Sequence, residues 1–215
     1  MSLKLYYHPL SSFCQKVLGA LYEGDIPFEP SIVNLMDPAE RAQFVKLWPI
    51  GKFPVLCDEA KGRTIPESSV IIEYLALHYP GAAHLMPKDA QLAWHTRAQD
   101  RFYDLYLEEP MQKIVGDRWR PAENRDPFGV EQARARMRTA YDVADRDMQG
   151  KTWAVGDNFT MADCGAAPAL FYANIVEPFV DARPNLAAYY KRLIERPSFA
   201  RVADEAKPYL HLMPK

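Results

Sequence analysis

The first third of the chain alternates short apolar runs with segments in which apolar residues recur every three or four positions. The run Leu3–Tyr7 is apolar and aromatic and stops at His8-Pro9, which is typical of a β-strand. After Ser11-Ser12, apolar positions follow helical spacing as far as Gly24, which predicts a helix. The same signals predict further strands at 28–33, 55–57 and 63–65, and helices from Asp37 and over Ser68–His78.

This order of elements predicts a small α/β layer in which a crossover joins two parallel strands and a hairpin completes the sheet. The thioredoxin-like fold has the same order, βαβαββα. Residues 80–88 contain two prolines and a glycine without a periodic pattern, which is typical of a linker between domains. From Asp89 onward the pattern is helical. We therefore predict an α/β plus all-α fold, with domains at 1–79 and 89–215 joined by the linker 80–88.

Within the helical part, one long segment and one apolar helix stand out. Residues 90–115 form a single amphipathic pattern that Pro110 is expected to break or bend. Thr160-x-x-Asp163 has the form of a capping box, in which Thr160 begins a helix and Asp163 bonds back to its N–H. The helix that follows has almost no charge, so we expect it in the middle of its domain.

Composition narrows the function classes. The 215 residues include 48% hydrophobic ones, enough to bury a core, and the net charge of −2 comes from 26 basic and 28 acidic residues. This balance gives no electrostatic case for binding nucleic acid or an anionic membrane. Three widely spaced cysteines without a paired motif favour a reducing compartment, and neither a leader before Leu3 nor a membrane-length apolar run is seen. We expect a cytoplasmic protein.

The sequence lacks the motifs of several common metal, nucleotide-binding and hydrolase sites. The five histidines never fall at metal-ligand spacing, so we expect no metal. The chain also has no Gly-x-Gly-x-x-Gly after its first strand, no phosphate loop and no Gly-x-Ser-x-Gly elbow. Nucleotide-binding and serine-hydrolase functions are therefore disfavoured.

Residues 51–79 combine two features that suit a small peptide ligand. Phe53-Pro54 precedes an apolar run, and a cis bond there would leave the backbone N–H and C=O of Phe53 free to pair with an extended ligand. Glu67 and Ser68 precede an amphipathic helix, where free N–H groups and a hydroxyl suit a carboxylate and Glu67 suits an ammonium group. The structural alternative is that Pro54 only begins a strand and Ser68 only caps its helix.

Together, Ser11-Ser12, Phe53-Pro54, Glu67-Ser68 and Thr160-x-x-Asp163 give the chain a resemblance to soluble glutathione transferases over essentially its whole length, in particular to serine-type, bacterial-like members. The resemblance implies a thioredoxin-like domain that binds glutathione as co-substrate and a helical domain that supplies most of a pocket for a small hydrophobic electrophile. It also implies a cytoplasmic homodimer, typically joined through the first domain of one subunit and the second of the other, with a role in detoxification.

The resemblance also assigns roles to the residues of this stretch. Phe53, held by Pro54, would pair its backbone with the cysteinyl part of glutathione, while Glu67 and Ser68 would hold the γ-glutamyl head. Lys52 could reach the glycyl carboxylate, although an exposed turn lysine is an equal alternative.

The thiol chemistry points to a serine at the start of the first helix. A free thiol titrates near 8.5, and lowering that by about two units requires roughly 2.7 kcal/mol. One hydrogen bond to a charged group supplies roughly 1.5–3 kcal/mol, and a helix N-terminus adds up to about 1 kcal/mol. We expect Ser11 to be this donor. Ser12, which could instead cap the helix, and Tyr7 are the alternatives.

Cys14 defines a competing function, because residues 11–14 correspond to a thioredoxin Cys-x-x-Cys with the first cysteine replaced by serine. The replacement removes the attacking thiol, so we expect Cys14 to be a packed core residue and not a redox group. The isomerase-type relatives carry Ser-Ser-Cys where this chain has Ser-Ser-Phe, which disfavours that role. A glutathione-dependent isomerase, a dehalogenase, a thiol oxidoreductase and a non-catalytic binding protein of the same fold are the alternatives to conjugation.

The co-substrate pocket is the least defined part of the prediction. Large apolar residues on elements expected to face the first domain are the candidates, with ordinary core packing as the alternative. They are Phe13, Tyr103, Tyr106, Met111, Trp119 and Phe171.

Overall fold

The computed structural model describes residues 3–214 and confirms the predicted fold class. The first part of the chain has the predicted order of strands and helices. Its elements are β1 (Leu3–Tyr7), α1 (Ser12–Glu23), β2 (Glu29–Ile32), α2 (Pro38–Leu47), β3 (Val55–Asp58), β4 (Arg63–Pro66) and α3 (Ser68–His78). Predicted and observed boundaries differ by at most one residue at each strand end, because glycine, proline and capping residues mark most of the turns.

The strands form a mixed sheet in the order β2, β1, β3, β4. Strand β1 runs parallel to β2 and antiparallel to β3, with Leu5 opposite Leu56. Alternate residues of β1 face opposite sides of the sheet, and Leu3 and Leu5 are buried with the apolar residues of α1 and α3. On the other side, Phe44 of α2 packs with Val55. This arrangement leaves the start of α1, the loop before β3 and the start of α3 to carry the site.

The second part of the chain is helical. Its elements are α4 (Ala90–Tyr103), a π-helical turn (Asp104–Glu108), α5 (Glu109–Arg118), α6 (Pro127–Asp147), α7 (Met161–Val176), α8 (Pro184–Ile194) and α9 (Pro197–Ala206), with a 3₁₀ segment at Lys207–Leu212. Residues 3–214 contain no helix that combines the length and the apolar character needed to span a bilayer.

The predicted break near Pro110 is a π-helical turn that begins six residues earlier. The N–H of Glu109 bonds to the C=O of Asp104, one residue further back than in an α-helix, and Pro110 has no N–H to donate. The extra residue rotates the following helix relative to α4. Both ends of the turn, Asp104 and Glu108, are acidic residues buried against the first domain.

The predicted linker is packed. Residues Pro80–Leu85 form a 3₁₀ helix, and both Ala82 and Leu85 are fully buried. The proposed boundaries at 79/80 and 88/89 stay a prediction, and the outer limits 1 and 215 lie outside the described residues.

Helix α7 lies at the centre, as its apolar sequence predicts. The carboxylate of Asp163 accepts the N–H of Thr160 at 2.8 Å and also the hydroxyl proton of Tyr189 at 2.7 Å, so the predicted capping box is confirmed. Further along α7, Tyr172 bonds to Gln15 of α1 at 2.9 Å. The central helix therefore fixes the position of α1 against the helical domain.

Candidate active site

The loop before β3 presents unpaired backbone groups. The peptide bond between Phe53 and Pro54 is cis, and Gly51 has a positive φ of 68° that favours glycine. Pro54 is buried, Phe53 is half-buried and Lys52 is exposed. Within residues 3–214, neither the N–H nor the C=O of Phe53 makes a hydrogen bond. An extended chain could pair with both groups.

The start of α3 is uncapped. Its N-cap residue is Glu67, whose side chain makes no capping bond, so the alternative that Ser68 serves as the helix cap is not observed. The N–H of Ile71 is bonded to Glu67 C=O at 2.8 Å, and the three N–H groups before it are the ones that a helix leaves without internal partners. These groups and the positive end of the helix favour an anion.

Glu67 itself has an unusual backbone. Its φ of 70° and ψ of 118° are rare for a residue with a side chain and cost of order 1–3 kcal/mol. Such conformations concentrate at functional sites. The conformation directs the chain into α3 while the Glu67 side chain stays exposed.

The two serines at the start of α1 have different partners. Ser11 is the N-cap residue, and its Oγ accepts the N–H of Cys14 at 3.4 Å. No carboxylate or carbonyl within residues 3–214 accepts the Ser11 proton. Ser12 is buried and donates its proton to the carboxylate of Glu108. Ser11 is therefore the helix cap, and Ser12, for which capping was the alternative role, is not. The Ser11 proton, unlike that of Ser12, is not committed to a carboxylate.

The alternative thiolate donor and the alternative redox group both lie in the core. Tyr7 is buried, and this burial raises its pKa to about 12. Cys14 is fully buried, and burial raises the pKa of its thiol to about 12 even though the Ser11 hydroxyl opposes the shift. A thiol with that pKa is almost entirely protonated at neutral pH, which disfavours thiol exchange at Cys14.

The six candidate residues of the co-substrate pocket lie in different surroundings. Tyr103 is only 1% exposed and its ring lies 6.4 Å from that of Tyr189, so it is part of the helical core. Tyr106 lines a groove of about 590 Å³ between the π-helical turn and α6, and none of the described residues of the first domain, 3–79, lines that groove. Trp119 is 67% exposed. Phe13, Met111 and Phe171 are partly or fully buried.

A buried ion cluster was not anticipated from the sequence. Lys16 Nζ lies 2.6 Å from Asp100 Oδ1 and 2.9 Å from Asp104 Oδ2, and it donates to Ser69 Oγ at 2.9 Å. Arg101 contacts Asp104 from the surface side. The cluster connects the start of α3, next to Ser68, to the helical domain. The available signal was the spacing of Asp100, Asp104 and Glu108, which places three acids on one helix face.

Glu108, the third acid at this spacing, was also not identified from the sequence. It is 2% exposed, and besides Ser12 its Oε1 accepts only a long 3.4 Å bond from Gln112, while Oε2 has no partner within residues 3–214. Burial raises the pKa of Glu108 to about 7, although the bonds from Ser12 and Gln112 act in the opposite direction. No group of three or more His, Cys, Asp or Glu in the described part of the chain could hold a metal ion.

A thioredoxin-like domain with a cis-proline loop, followed by a helical domain packed on its first helix, defines a known class of two-domain proteins. Family models described as "Glutathione S-transferase, N-terminal domain" and "Glutathione S-transferase, C-terminal domain" match residues 5–83 and 102–197. The chain is 30% identical to the glutathione S-transferase-like protein LUC7 of Fusarium sp over 84% of this chain and 83% of that protein.

Two further comparisons agree. Glutathione S-transferase 3 of Zea mays is 30% identical, over 93% of this chain and 92% of that protein. A glutathione S-transferase of Methylobacillus flagellatus, solved with glutathione bound, superposes with a TM-score of 0.85 at 27% identity, covering 94% of this chain and 98% of the other. The chain belongs to the glutathione S-transferase family and is by class a transferase.

Proposed function

We propose that this protein binds glutathione and conjugates its thiolate to an electrophilic, mostly apolar substrate. The proposal is carried by one observation: the polar groups that such a ligand needs are the ones that the first domain leaves unpaired. They are the Phe53 backbone, the first turn of α3 and the Ser11 proton. The bound glutathione in the Methylobacillus flagellatus relative supports the choice of ligand.

Each part of glutathione has a partner in this proposal. The cysteinyl unit pairs with the backbone of Phe53, whose position Pro54 fixes. The γ-glutamyl carboxylate accepts the free N–H groups of α3 and the hydroxyl of Ser68, and Glu67 binds the ammonium group. The exposed Lys52 binds the glycyl carboxylate.

The thiol lies beside Ser11, which donates a hydrogen bond to the thiolate. Ser12 is a poorer donor because its proton is already held by Glu108. The positive end of α1 adds to the stabilisation. Among the co-substrate candidates, Phe13, Met111 and Phe171 stay in the proposed pocket, whereas Tyr103 packs in the core and Tyr106 faces another groove.

We also propose that the protein is a cytoplasmic homodimer. The cysteines Cys14, Cys57 and Cys164 are all free, as a reducing compartment allows. Both domains expose large apolar side chains, including Ile50 and Leu77 on the first and Trp94 on the second. A two-fold interface that pairs the first domain of one copy with the second of the other would cover them. Light scattering should give the mass of two chains, and the mass of one chain would contradict this.

Calorimetry tests the ligand, and an aryl halide assay tests the reaction. We expect the wild type to bind glutathione and to form the thioether. Glu67→Gln should weaken binding by roughly 10-fold to 100-fold, because it removes a bond between charged groups worth about 1.5–3 kcal/mol. Glu59→Gln, an exposed acid elsewhere in the first domain, is the matched control. No binding by the wild type, or equal binding by Glu67→Gln, would contradict the assignment.

A further inference from the structure

We propose that Glu108 is the acceptor of the glutathione thiol proton and that Ser12 carries the proton to it. The inference rests on the proposed function, because it needs the thiol to bind beside the start of α1. It assigns a chemical role to a contact between the two domains that binding of glutathione alone does not require.

The contact joins the reacting end of α1 to the π-helical turn. Ser12 is the first residue of α1 and follows Ser11 directly. Its proton is donated to Glu108 Oε1, the last residue of the turn. A hydroxyl that donates its own proton still has lone pairs with which to accept another. Ser12 can therefore accept from the thiol while Ser11 donates to the thiolate that forms.

The charges around Glu108 leave it in need of a proton. The groups that face it are neutral, namely Ser12 on α1, Gln112 on α5 and Tyr172 on α7. The nearest cation, Lys16, is already paired with Asp100 and Asp104. Oε2 of Glu108 is buried and has no hydrogen-bond partner within residues 3–214. An unpaired buried carboxylate is relieved by protonation, which is what transfer from the thiol would supply.

The pKa values of the thiol and of Glu108 are also similar. Burial raises the pKa of Glu108 to about 7. A bound thiol whose pKa has been lowered by about two units titrates near 6.5. Transfer between groups of similar pKa is close to thermoneutral, so neither direction is strongly disfavoured.

The step balances without any further reactant. The S–H bond breaks and its proton joins Ser12 Oγ, while the original Ser12 proton moves to Glu108 Oε1. The negative charge passes from the carboxylate to the sulfur, and the net charge of the site does not change. Once the thiolate has been consumed by the electrophile, Glu108 returns its proton to the leaving group or to solvent.

The number of protons released when glutathione binds distinguishes transfer of the thiol proton to Glu108 from its release to water. At pH 8, Glu108 is mostly ionised, and glutathione binding is measured by calorimetry in buffers of different ionisation enthalpy, together with thiolate absorbance. The thiolate forms next to the carboxylate and its negative charge opposes ionisation of Glu108, so we expect Glu108 to keep the transferred proton at pH 8 and the wild type to form thiolate while releasing less than about 0.3 protons per site. Glu108→Gln should release roughly 0.75, the fraction of free thiol still protonated at that pH. A purely structural role for Glu108 would not change this number.

Three controls make the result decisive. Glu109→Gln changes the neighbouring exposed acid and should behave as the wild type. S-methylglutathione has no thiol proton and should release none with any variant. Ser12→Ala keeps the acceptor but removes the carrier, so it should release as few protons at equilibrium as the wild type while forming thiolate more slowly after stopped-flow mixing. This slower formation takes the place of the proton count if Glu108→Gln does not fold.

The outcomes separate the two proposals. Equal proton release by the wild type and by Glu108→Gln, together with equally fast thiolate formation in Ser12→Ala and normal glutathione binding, overturns the role of Glu108 and leaves the proposed function intact. Absence of glutathione binding or of thiolate in the wild type overturns both.

Discussion

Two acidic residues lie at opposite ends of one π-helical turn, and they contact residues of α1 that are four positions apart. The two acids differ in whether a cation lies beside them. Asp104 faces Lys16, and with Asp100 and Arg101 it forms a cluster of two anions and two cations. Glu108 faces Ser12 and forms no ion pair with a cation among residues 3–214. The comparison indicates that the first contact holds the domains together, whereas the second holds a proton beside the reacting group.

The largest effect is expected from removing the cation of the first contact. Lys16→Met leaves two buried carboxylates without their partner and should lower the free energy of unfolding by about 3–5 kcal/mol. Urea unfolding at neutral pH measures it. Lys113→Met, which removes a partly exposed partner of Asp126, should cost less than about 1 kcal/mol. A loss of that smaller size for Lys16→Met would contradict the comparison.

The buried carboxyl of Glu108, in the contact with Ser12, should make the free energy of unfolding depend on pH. The folded pKa of Glu108, about 7, lies above its ordinary value of 4.5, so the folded state binds more protons between these values. Stability contributed by this group is therefore present below pH 4.5 and is lost as the pH rises through 7, by up to about 3 kcal/mol.

The Glu108→Gln variant should not lose stability as the pH rises through 7. Relative to the wild type, it should gain stability between pH 5 and pH 8, as measured by urea unfolding at constant salt. Glu109→Gln should follow the wild type at both values. If Glu108→Gln and the wild type lose the same free energy over this range, Glu108 is not the buried titrating group.

The smallest effect is expected at an exposed contact between the same two domains. Arg97 on α4 bonds to Glu73 on α3 through Nε at 2.7 Å and Nη2 at 2.8 Å, but both side chains are accessible to solvent. Arg97→Ala should therefore cost less than about 1 kcal/mol, and less still in high salt. A cost comparable with that of Lys16→Met would show that burial does not decide the strength of these contacts.

The sequence predicts the first domain well because its signals are local. Proline, glycine and capping residues mark the strand and helix ends, and Phe53, Glu67 and Ser68 lie within one continuous stretch whose motifs are readable. The capping box of Thr160 and Asp163 is equally local, spanning three residues, and the structure contains it.

The contacts between the domains could not be read in the same way. Ser12 and Glu108 are 96 residues apart, and nothing in either neighbourhood identifies the other. The π-helical turn also shifts the helical register, so Tyr103 and Tyr106, which a regular helix places on one face, are 1% and 55% exposed. Lys16 is buried only because carboxylates from another helix surround it.

The central claim, that Ser11 stabilises the glutathione thiolate, is tested most directly by titrating the thiolate absorbance of bound glutathione in the wild type and in Ser11→Ala. Asp89→Ala, which removes the N-cap of α4 instead, is the control for loss of a cap. We predict that the bound thiol of the wild type and of the control titrates well below the ordinary value near 8.5, and that Ser11→Ala raises it by about 1–2 units. A wild-type thiol that titrates near its ordinary value, or a Ser11→Ala titration identical to that of the wild type, would contradict the claim.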